Sequence, residues 1–505
     1  MITNFETFVE SFGFNQSLKK ICIQSDDCFK KQEVTALYKA FCNNHNLKQI
    51  EVLDKYSSPQ IAWEEYIEII ESSDKLTSIT LKENDEMPPK IFNSLLQSLD
   101  KNASLRIFTF KGFSKNIVKF SELLSKLYRH LLLEILDISG NQIMSLNVID
   151  KLKSIVDFCP NLHAMNFSET IINNTPPLSS LFRIIAEKQN INSLDFSGNS
   201  YSFQNFEEFC KMVSRIKKLH KIFIKNCNLT DDFLKLLFSS FPLNNELKYI
   251  DLRNQGNAQL IRNSSESLVS LLKNNSSLIE FLLSGCICDK EKIEEILQSI
   301  STSSLKFLDL TGLGLSESSF NYFSKQISNM ISLKNFKLVE KGLIDYSTFF
   351  CNINKCKSLI SAEIQCDVFS IKSTEILGEE LKKMNCLSIL KMSGSISPGG
   401  INLINKGLSL NETLHYLALF KSDIKEDEIP YLFTFLERNR SIESYYLYMG
   451  VFELNDTIIS TITRNAKNYK KLRVLGVCEG KATKIGLDRL RRIRRKAFWL
   501  SIETF

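Results

Sequence analysis

The sequence predicts an α/β solenoid, in which short parallel strands line a concave face and helices cover the convex face. The first observation is an apolar pattern, L-x-x-L-x-L with other apolar residues allowed, that starts seventeen times from Leu18 to Leu472. The second is its period, because successive starts lie 26 to 31 residues apart, close to 28. The third is coverage, since repeats fill residues 18–480. A fixed period over so much of a chain is typical of a stacked repeat architecture.

Each repeat divides into a strand half and a helix half. Apolar and polar residues alternate over 134–139, as in a short strand with one buried face. Phe206, Phe209, Val213 and Ile216 recur at helical spacing in the second half of another repeat. One strand and one helix cannot bury their apolar faces alone, so we expect neighbouring repeats to share a core.

The register of the repeats predicts which strand residues are buried. The two apolar residues of each L-x-L pair should point towards the helices, because parallel strands joined by helical crossovers are covered on that face. We therefore expect almost complete burial of Leu136 and Ile138, and of Leu308 and Leu310 in a later repeat.

The turn after the strand carries a motif that is most regular in three repeats: LEILDISGNQI at 133–143, INSLDFSGNSY at 191–201 and LHKIFIKNCNL at 219–229. These segments resemble the L-x-x-L-x-L-x-x-N/C-x-L motif of leucine-rich repeats, and the repeat length resembles the ribonuclease-inhibitor-like class. The Asn or Cys of the motif should satisfy backbone groups in the turn. This position is occupied by Asn84, Asn141, Asn199, Cys227 and Cys286. The two cysteines therefore have a structural interpretation.

Both ends of the array should be closed, because an open solenoid end exposes its core. We expect a capping helix over residues 1–17 and a basic capping helix over 481–505. The second segment holds eight Lys or Arg against two acidic residues, which accounts for the whole net charge of +6. Contact of this helix with an anionic membrane is the less favoured alternative.

Composition and charge exclude several classes of protein. With 43% hydrophobic residues, 18 Gly and 9 Pro, the chain can bury a core and is not a disordered or collagen-like chain. The start lacks the basic end and apolar run of a signal peptide, and 13 scattered Cys do not form a disulfide framework. We therefore expect a cytoplasmic protein. Because the excess charge is confined to the end of the sequence, no nucleic-acid partner is expected.

Motifs of common enzymes and metal sites are missing from the sequence. It contains no phosphate-binding G-x-x-x-x-G-K-[ST] loop and no dinucleotide-binding G-x-G-x-x-G segment. The five His fall in different repeats, and the Cys pairs 286/288 and 351/356 lack metal-ligand spacing, so we assign those cysteines to the core. The sequence thus predicts a non-catalytic protein without a cofactor.

The concave face is the expected binding surface for a protein partner. Positions two, four and six after each repeat start should face outwards, and in the middle repeats they form an acidic track with aromatic residues beside it. Such a track would fit a basic, partly apolar partner surface, because aromatic anchors supply binding energy and charges set specificity. The predicted residues are Asp137, Asp195, Phe223, Tyr249, Asp251, Arg253, Phe307 and Asp309, with Tyr249, Asp251, Arg253, Phe307 and Asp309 at the centre.

Late repeats carry a second group of outward aromatic residues. Tyr416, Phe420, Tyr446 and Tyr448 occupy outward positions of two neighbouring predicted strands. Exposed apolar patches of this kind mark contact sites. The alternative is that the C-terminal segment folds back over them.

Three functions are compatible with this sequence. The first is a protein-interaction scaffold, and the resemblance to the repeat domain of CARMIL and tropomodulin-type proteins implies a regulator of the actin cytoskeleton. The second is a GTPase activator, since Ran GTPase-activating proteins use the same repeat class with an Arg in a loop after a strand; Arg253 and Arg262 are the nearest candidates. The third is an inhibitor or sensor that, like ribonuclease inhibitor, clasps a basic protein.

Overall fold

A computed structural model shows a repeated strand–helix architecture that divides into two compact units, residues 1–229 with 236–251 and residues 230–235 with 252–505. The structure describes residues 17, 19–25, 36, 48–54, 67–68, 70–71, 75–82, 88–111, 117–141, 145–170, 178–241, 246–255, 259–340, 342, 345–420, 428, 431–448, 456–465, 468–469, 471–477, 483, 485–486, 488–489 and 501–504. Except for Ser17, the predicted N-terminal capping helix lies outside these residues, as does the Asn84 turn.

The first unit contains nine strands, each paired in parallel with the next along the chain. The strands are β1 (Lys20–Ser25), β2 (Gln49–Asp54), β3 (Ser78–Lys82), β4 (Ile107–Lys111), β5 (Ile135–Asp137), β6 (Ala164–Asn166), β7 (Ser193–Asp195), β8 (Lys221–Phe223) and β9 (Tyr249–Asp251). The helices between them are α1 (Pro89–Lys101), α2 (Ile117–Leu127), α3 (Leu146–Phe158), α4 (Ser179–Glu187) and α5 (Phe203–Arg215). Helix α6 (Asp231–Ser240) has residues in both units.

The second unit continues the alternation of strands and helices. Its strands are β10 (Gln259–Ile261), β11 (Glu280–Leu282), β12 (Cys286–Cys288), β13 (Phe307–Asp309), β14 (Asn335–Val339), β15 (Ser361–Phe369), β16 (Ile389–Ile396), β17 (Tyr416–Phe420), β18 (Ser444–Tyr448), β19 (Val474–Val477) and β20 (Ser501–Thr504). Its helices are α7 (Ser265–Asn274), α8 (Ile293–Ser301), α9 (Glu317–Gln326), α10 (Ser347–Ile353), α11 (Ile371–Leu381), α12 (Gly400–Leu408), α13 (Tyr431–Arg438) and α14 (Asp456–Asn465).

Parallel pairing extends through this second unit in two sheets. Strand β11 pairs with β13, and from β13 to β20 each strand pairs with the next. Strands β10 and β12 form a separate two-stranded sheet. All seventeen predicted repeat starts are followed by a strand, so the predicted α/β repeat fold is confirmed, whereas β10, β12 and β20 were not predicted.

The predicted register is also confirmed. Leu136, Ile138 and Leu310 are fully buried and Leu308 is 1% exposed. Helices cover this side of the sheet: the ring of Phe336 on β14 lies 5.2 Å from that of Phe349 on α10. The opposite side, called the outer face below, carries the residues that alternate with these.

Amide side chains join successive repeats, as the motif predicts. The Nδ2 of Asn141 donates to the carbonyl oxygens of Phe110 and Ile138, both at 2.8 Å, so it links one turn to the repeat before it. Asn199 makes the equivalent bonds. The thiol of Cys227 lies 3.4 Å from the carbonyl oxygen of Phe196. The structural interpretation of this position is confirmed for these residues.

A second set of inter-repeat bonds, at the ends of the helices, was not predicted. Asn439 is buried; its Nδ2 donates to the carbonyl oxygens of Leu408 and Asn411, and its Oδ1 accepts from the N–H groups of Ser441 and Ile442. Carbonyl groups at a helix end lack partners within the helix, so a bridging amide satisfies them. Asn102, Cys159, Lys188, Cys356 and Asn411 bond in the same way to a preceding repeat.

The second unit ends in a strand. Strand β20 pairs in parallel with β19, with Val474 opposite Ser501. This pairing satisfies backbone groups along β19 that would otherwise form a sheet edge. Residues 485, 486, 488 and 489 are helical, whereas the prediction of a helix over 481–505 is wrong for residues 501–504, and residues 490–500 lie outside the described part of the chain.

Candidate functional site

The outer face of the sheet in the second unit carries a row of polar and aromatic residues at equivalent strand positions. Parallel pairing places Lys337 of β14 opposite Glu363 of β15, and Glu363 opposite Lys391 of β16. Neighbouring strands lie about 4.8 Å apart, so side chains along such a row are in reach of each other. The full row is Asp309, Lys337, Glu363, Lys391, Ala418 and Tyr446.

Lys337, Glu363 and Lys391 form a Lys–Glu–Lys triad. Lys337 Nζ lies 2.7 Å from Glu363 Oε1, and Lys391 Nζ lies 3.6 Å from Glu363 Oε2. The three side chains keep 36%, 35% and 38% of their area exposed, respectively. Ion pairs this exposed contribute only about 0–1 kcal/mol to stability. The triad has a net charge of +1, and Lys391 is its more loosely paired lysine.

A tyrosine pair lies beside the triad. The rings of Tyr416 and Tyr446 are stacked, with centroids 5.1 Å apart and 27° between their planes. Each ring faces a small residue on the paired strand, Ser444 opposite Tyr416 and Ala418 opposite Tyr446, which leaves room for this diagonal contact. Lys391 Nζ lies 6.0 Å from the centroid of the Tyr416 ring. Lys391 therefore belongs to the triad and also approaches the tyrosine pair.

A depression of about 370 Å³ lies on the same face. This volume is at the lower end of the range for ligand sites, about 300–1,000 Å³. Its lining combines the charged side chains with an aromatic wall and consists of Glu363, Ile364, Gln365, Lys391, Met392, Ser393 and Phe420.

The predicted late aromatic group is largely brought together by the structure. Tyr416, Phe420 and Tyr446 are half-buried on neighbouring strands. The backbone of Tyr448 pairs opposite Phe420, and its side chain lies outside the described part of the structure. Whether these residues bind a partner stays a prediction.

The outer face of the first unit brings together part of the other predicted group. The rings of Phe223 and Tyr249 lie 4.8 Å apart on β8 and β9, and both residues are half-buried. Lys225 Nζ lies 6.0 Å from the Phe223 centroid. Asp195 of β7 is directly opposite Phe223. This surface therefore combines aromatic and charged groups as well.

The acidic residues of the predicted track have a structural role in their own turns. The Oδ1 atoms of Asp137, Asp195 and Asp309 each accept a hydrogen bond, at 2.9 Å, from the backbone N–H two residues further on. These bonds fix the turn that follows each strand. Lys111 Nζ also lies 3.8 Å from Asp137 Oδ2.

Two of the predicted acidic residues are not available at the surface. Asp251 is fully buried and Asp309 is 4% exposed. The hydroxyl of Tyr249 donates to Asp251 Oδ2 at 3.3 Å, which satisfies part of the buried carboxylate. The prediction that Asp251 and Asp309 present carboxylates to a partner is therefore wrong.

The predicted centre is also divided between the two units. Tyr249 and Asp251 belong to the first unit, whereas Arg253, Phe307 and Asp309 belong to the second. Arg253 and Phe307 are half-buried.

Sequence reasoning missed the triad. Lys337, Glu363 and Lys391 occupy the same position of their repeats as Asp137 and Asp195 do. Their alternating charge across three consecutive repeats was visible in the register. A search for complementary charges on adjacent strands, rather than for one recurring residue type, would have found them.

Most cysteines of the described residues are buried in the core. Burial raises the pKa of the Cys227 and Cys286 thiols to about 12, so both remain protonated and poorly nucleophilic at neutral pH. Cys288 and Cys356 are buried as predicted, but Cys351 is exposed on α10, so its assignment to the core was wrong. Within the described residues, no group of three or more His, Cys, Asp or Glu side chains is arranged to hold a metal ion.

None of the helices in the described part of the chain has both the length and the apolar character needed to cross a membrane.

Comparison with known proteins gives few matches in sequence. No protein-family model matches the chain. A "Probable polyketide synthase 30" of Dictyostelium discoideum is 24% identical over 258 residues, which cover 48% of this chain. The match spans only 8% of that much longer protein.

Three of the similar solved structures have low sequence identity to this chain. A complex of TLR13 with a single-stranded RNA has a TM-score of 0.44 at 14% identity, over 92% of this chain and 61% of that one. A mouse RP105/MD-1 complex has a TM-score of 0.45 at 11% identity, over 96% and 89% of the two chains. An internalin from Listeria monocytogenes has a TM-score of 0.34 at 14% identity, over 89% and 92%.

Three features of the molecule define its fold. The seventeen predicted strands are present, the L-x-L residues Leu136, Ile138, Leu308 and Leu310 are buried, and Asn and Cys side chains bridge the turns between repeats. The chain therefore has the repeated strand–helix fold of leucine-rich repeats.

Proposed function

We propose that this chain is a non-catalytic protein-interaction scaffold that binds a protein partner on the outer face of the sheet in its second unit. One observation carries the proposal: Lys391 joins the exposed Lys–Glu–Lys triad to the tyrosine pair. Aromatic side chains supply much of the energy of protein interfaces, and charges determine specificity and association rate. The triad and the tyrosine pair place both kinds of group side by side.

The backbone beneath this surface supports a binding role. Strands β14 to β18 are paired on both sides, so side chains on their outer face are held in fixed relative positions. Binding to a preorganised surface costs less conformational entropy than binding to mobile loops.

The test has two steps. A photoreactive amino acid at Ser393, in the lining of the depression, should cross-link the partner, whereas the same group at exposed Glu375 on α11 should not. The purified partner is then titrated against Y416A and Y446A. Each should bind at least about fivefold more weakly than the unchanged protein, and E375A should bind normally.

Capture at Glu375 only, or wild-type affinity of both tyrosine variants, would place the partner elsewhere and contradict the proposal. Circular dichroism of each variant separates a binding defect from a folding defect.

The finer identity of the partner is also a proposal. Resemblance to CARMIL and tropomodulin-type proteins supports an actin-cytoskeletal partner, which cosedimentation with purified actin filaments would test. The ribonuclease-inhibitor-like class and the cytoplasmic location stay predictions of the sequence.

A basic partner on the first unit is the alternative. It is supported by Asp137 and Asp195, which are half-buried, and by the position of Asp195 directly opposite Phe223. If such a partner binds there, the association rate of Asp195→Asn should change less with salt concentration than that of the unchanged protein. Arg253 is half-buried, and nothing in the described residues favours the GTPase-activator function over these two.

A further inference from the structure

We propose that the surface formed by the triad and the tyrosine pair recognises an acidic segment of a protein partner, one in which carboxylates neighbour an aromatic side chain. This inference rests on the proposed function and specifies the chemistry of its partner. It follows from the charge of the triad, from the position of Lys391 and from the depression beside it.

The triad leaves a positive charge available to a ligand. Glu363 is shared by two lysines, and its separation from Lys391 Nζ, 3.6 Å, is longer than the 2.7 Å to Lys337 Nζ. A carboxylate from a partner can therefore pair with Lys391 while Lys337 continues to hold Glu363. Charge-assisted hydrogen bonds of this type are stronger than neutral ones.

The ring of the ligand has a place next to that carboxylate. Lys391 and Phe420 both line the depression, and Lys391 also approaches the face of Tyr416. An aromatic side chain in the depression would pack against Phe420 while its neighbouring carboxylate contacts Lys391. Aromatic side chains favour such partly apolar sites with a polar rim.

The same features favour a peptide over a nucleic acid. Single strands are bound by grooves with positive charge along the whole backbone, combined with stacking rings. The triad has a net charge of only +1, and Glu363 lies between its two lysines, where it would repel a phosphodiester. A short acidic segment needs only one available lysine.

The experiment measures binding of the full chain to four fluorescent probes. These are a random copolymer of glutamate and tyrosine, polyglutamate, a copolymer of lysine and tyrosine, and oligothymidylate. We expect the glutamate–tyrosine copolymer to bind most tightly, polyglutamate to bind more weakly because it lacks rings, and the affinity of both to fall with added salt.

Two variants with opposite expected effects distinguish recognition from a structural role. Lys391→Met should weaken binding of the glutamate–tyrosine copolymer at least about fivefold, because it removes the available charge. Glu363→Gln should strengthen binding, because it removes the carboxylate that competes for Lys391. Lys211→Met is the matched control, since Lys211 is an exposed lysine paired with Glu207 and Glu208 on α5.

Several results would overturn the inference. These are weaker binding by Glu363→Gln in a folded protein, unchanged binding by Lys391→Met, tighter binding of oligothymidylate than of the glutamate–tyrosine copolymer, or no binding of that copolymer. If the lysine–tyrosine copolymer binds best and Y446A abolishes that binding, the acidic ligand is wrong and the proposed surface stands. The proposed function itself is tested separately: it fails if the partner is cross-linked only at Glu375, or if the purified partner binds Y416A and Y446A with unchanged affinity.

Discussion

Glu340 is a buried carboxylate that follows β14 and bonds to the turn of the preceding repeat. Its side chain is 6% exposed, and its Oε1 accepts from the N–H of Leu315 at 3.5 Å. Burial raises its pKa from 4.5 to about 7, although the N–H groups of Leu315, Leu313 and Gly314 oppose the shift. The folded protein therefore binds this proton more tightly than the unfolded chain does.

Because the pKa of Glu340 is raised in the folded protein, the folded protein becomes less stable as the pH rises. The contribution of protonated Glu340 is fully present below pH 4.5 and is lost as the pH rises through about 7. Glu340→Gln keeps an acceptor without the charge, so the variant should be more stable than the unchanged protein at pH 8, by about 1–2 kcal/mol, and the difference should shrink at pH 5.

Urea unfolding at the two pH values measures this effect. Glu375→Gln, at an exposed position on α11, is the control and should change little at either pH. A Glu340→Gln protein that is less stable than the unchanged chain at pH 8 would show that the ionised carboxylate is needed by the turn.

Sequence alone predicted the burial of some residues correctly and the burial or bonding of others wrongly or not at all. Leu136 and Leu308 were assigned correctly because their burial follows from local alternation, which each repeat shows. The exposure of Asp251 and Asp309 was predicted wrongly from the same alternation. Both lie at outward positions, and their burial depends on what surrounds them in the folded chain. Glu340 and Asn439 were missed because their bonds reach a preceding repeat about one period away.

At the scale of elements, two neighbouring repeats of the second unit are packed unusually closely. A methyl group added to Gly378 on α11 would overlap the carbonyl oxygen of Leu403 on α12, and one added to Gly407 would overlap that of Gly378. On the sheet below, a methyl group at Gly394 of β16 would overlap the carbonyl oxygen of Cys366 on β15. Glycine permits this approach at all three positions.

Gly394 also marks an irregularity in the sheet. Its φ of +143° lies where side chains are rarely accommodated, and the pairing of β15 with β16 shifts between Gln365 and Val368. The outer-face depression is lined by residues of these same two strands just before the shift. The strand pattern predicted β15 and β16 as ordinary repeats, because a bulge depends on contact between strands rather than on alternation within one.

Replacing Gly394 by Ala should therefore destabilise the second unit by more than about 3 kcal/mol, the sum of backbone strain and steric overlap. Gly399→Ala is the matched control: its φ is +80°, but the nearest heavy atom that a methyl group would meet is Ile371 Cδ1 at 3.9 Å. That variant should lose only the strain, about 1–2 kcal/mol.

Thermal unfolding of both variants gives the comparison. Equal losses of stability would mean that the strands separate slightly to accommodate the methyl group, and that the close approach is not required.

For the whole molecule, stability is expected to vary along the array, because each repeat contacts mainly its neighbours. Strands β15 and β16 have nine and eight residues, whereas β11 and β13 of the same unit have three each. Longer ladders and closer helix packing should make opening more costly.

We therefore expect amide hydrogen exchange to be slowest in β15, β16, α11 and α12, and faster in β11 and β13. Exchange measured by mass spectrometry on the intact chain tests this order, and the comparison is made within one unit so that a difference in global stability does not affect it. Uniform protection across these strands would indicate that the unit opens as a single cooperative block.

The three glycines also bear on how such an array can change over evolutionary time. Repeat proteins lengthen and shorten when whole repeats are duplicated or lost, which requires each repeat to fit any neighbour. The repeats that begin at Leu359 and Leu387 do not meet that condition, because Gly378 and Gly407 match each other across the helix layer and Gly394 matches Cys366 below it. A duplication or deletion that separated these repeats would pack α11 or α12 against a different helix. A side chain of that helix at the contact position would then overlap the backbone. These two repeats should therefore be inherited as a pair, together with the contact between Glu363 and Lys391 on their strands.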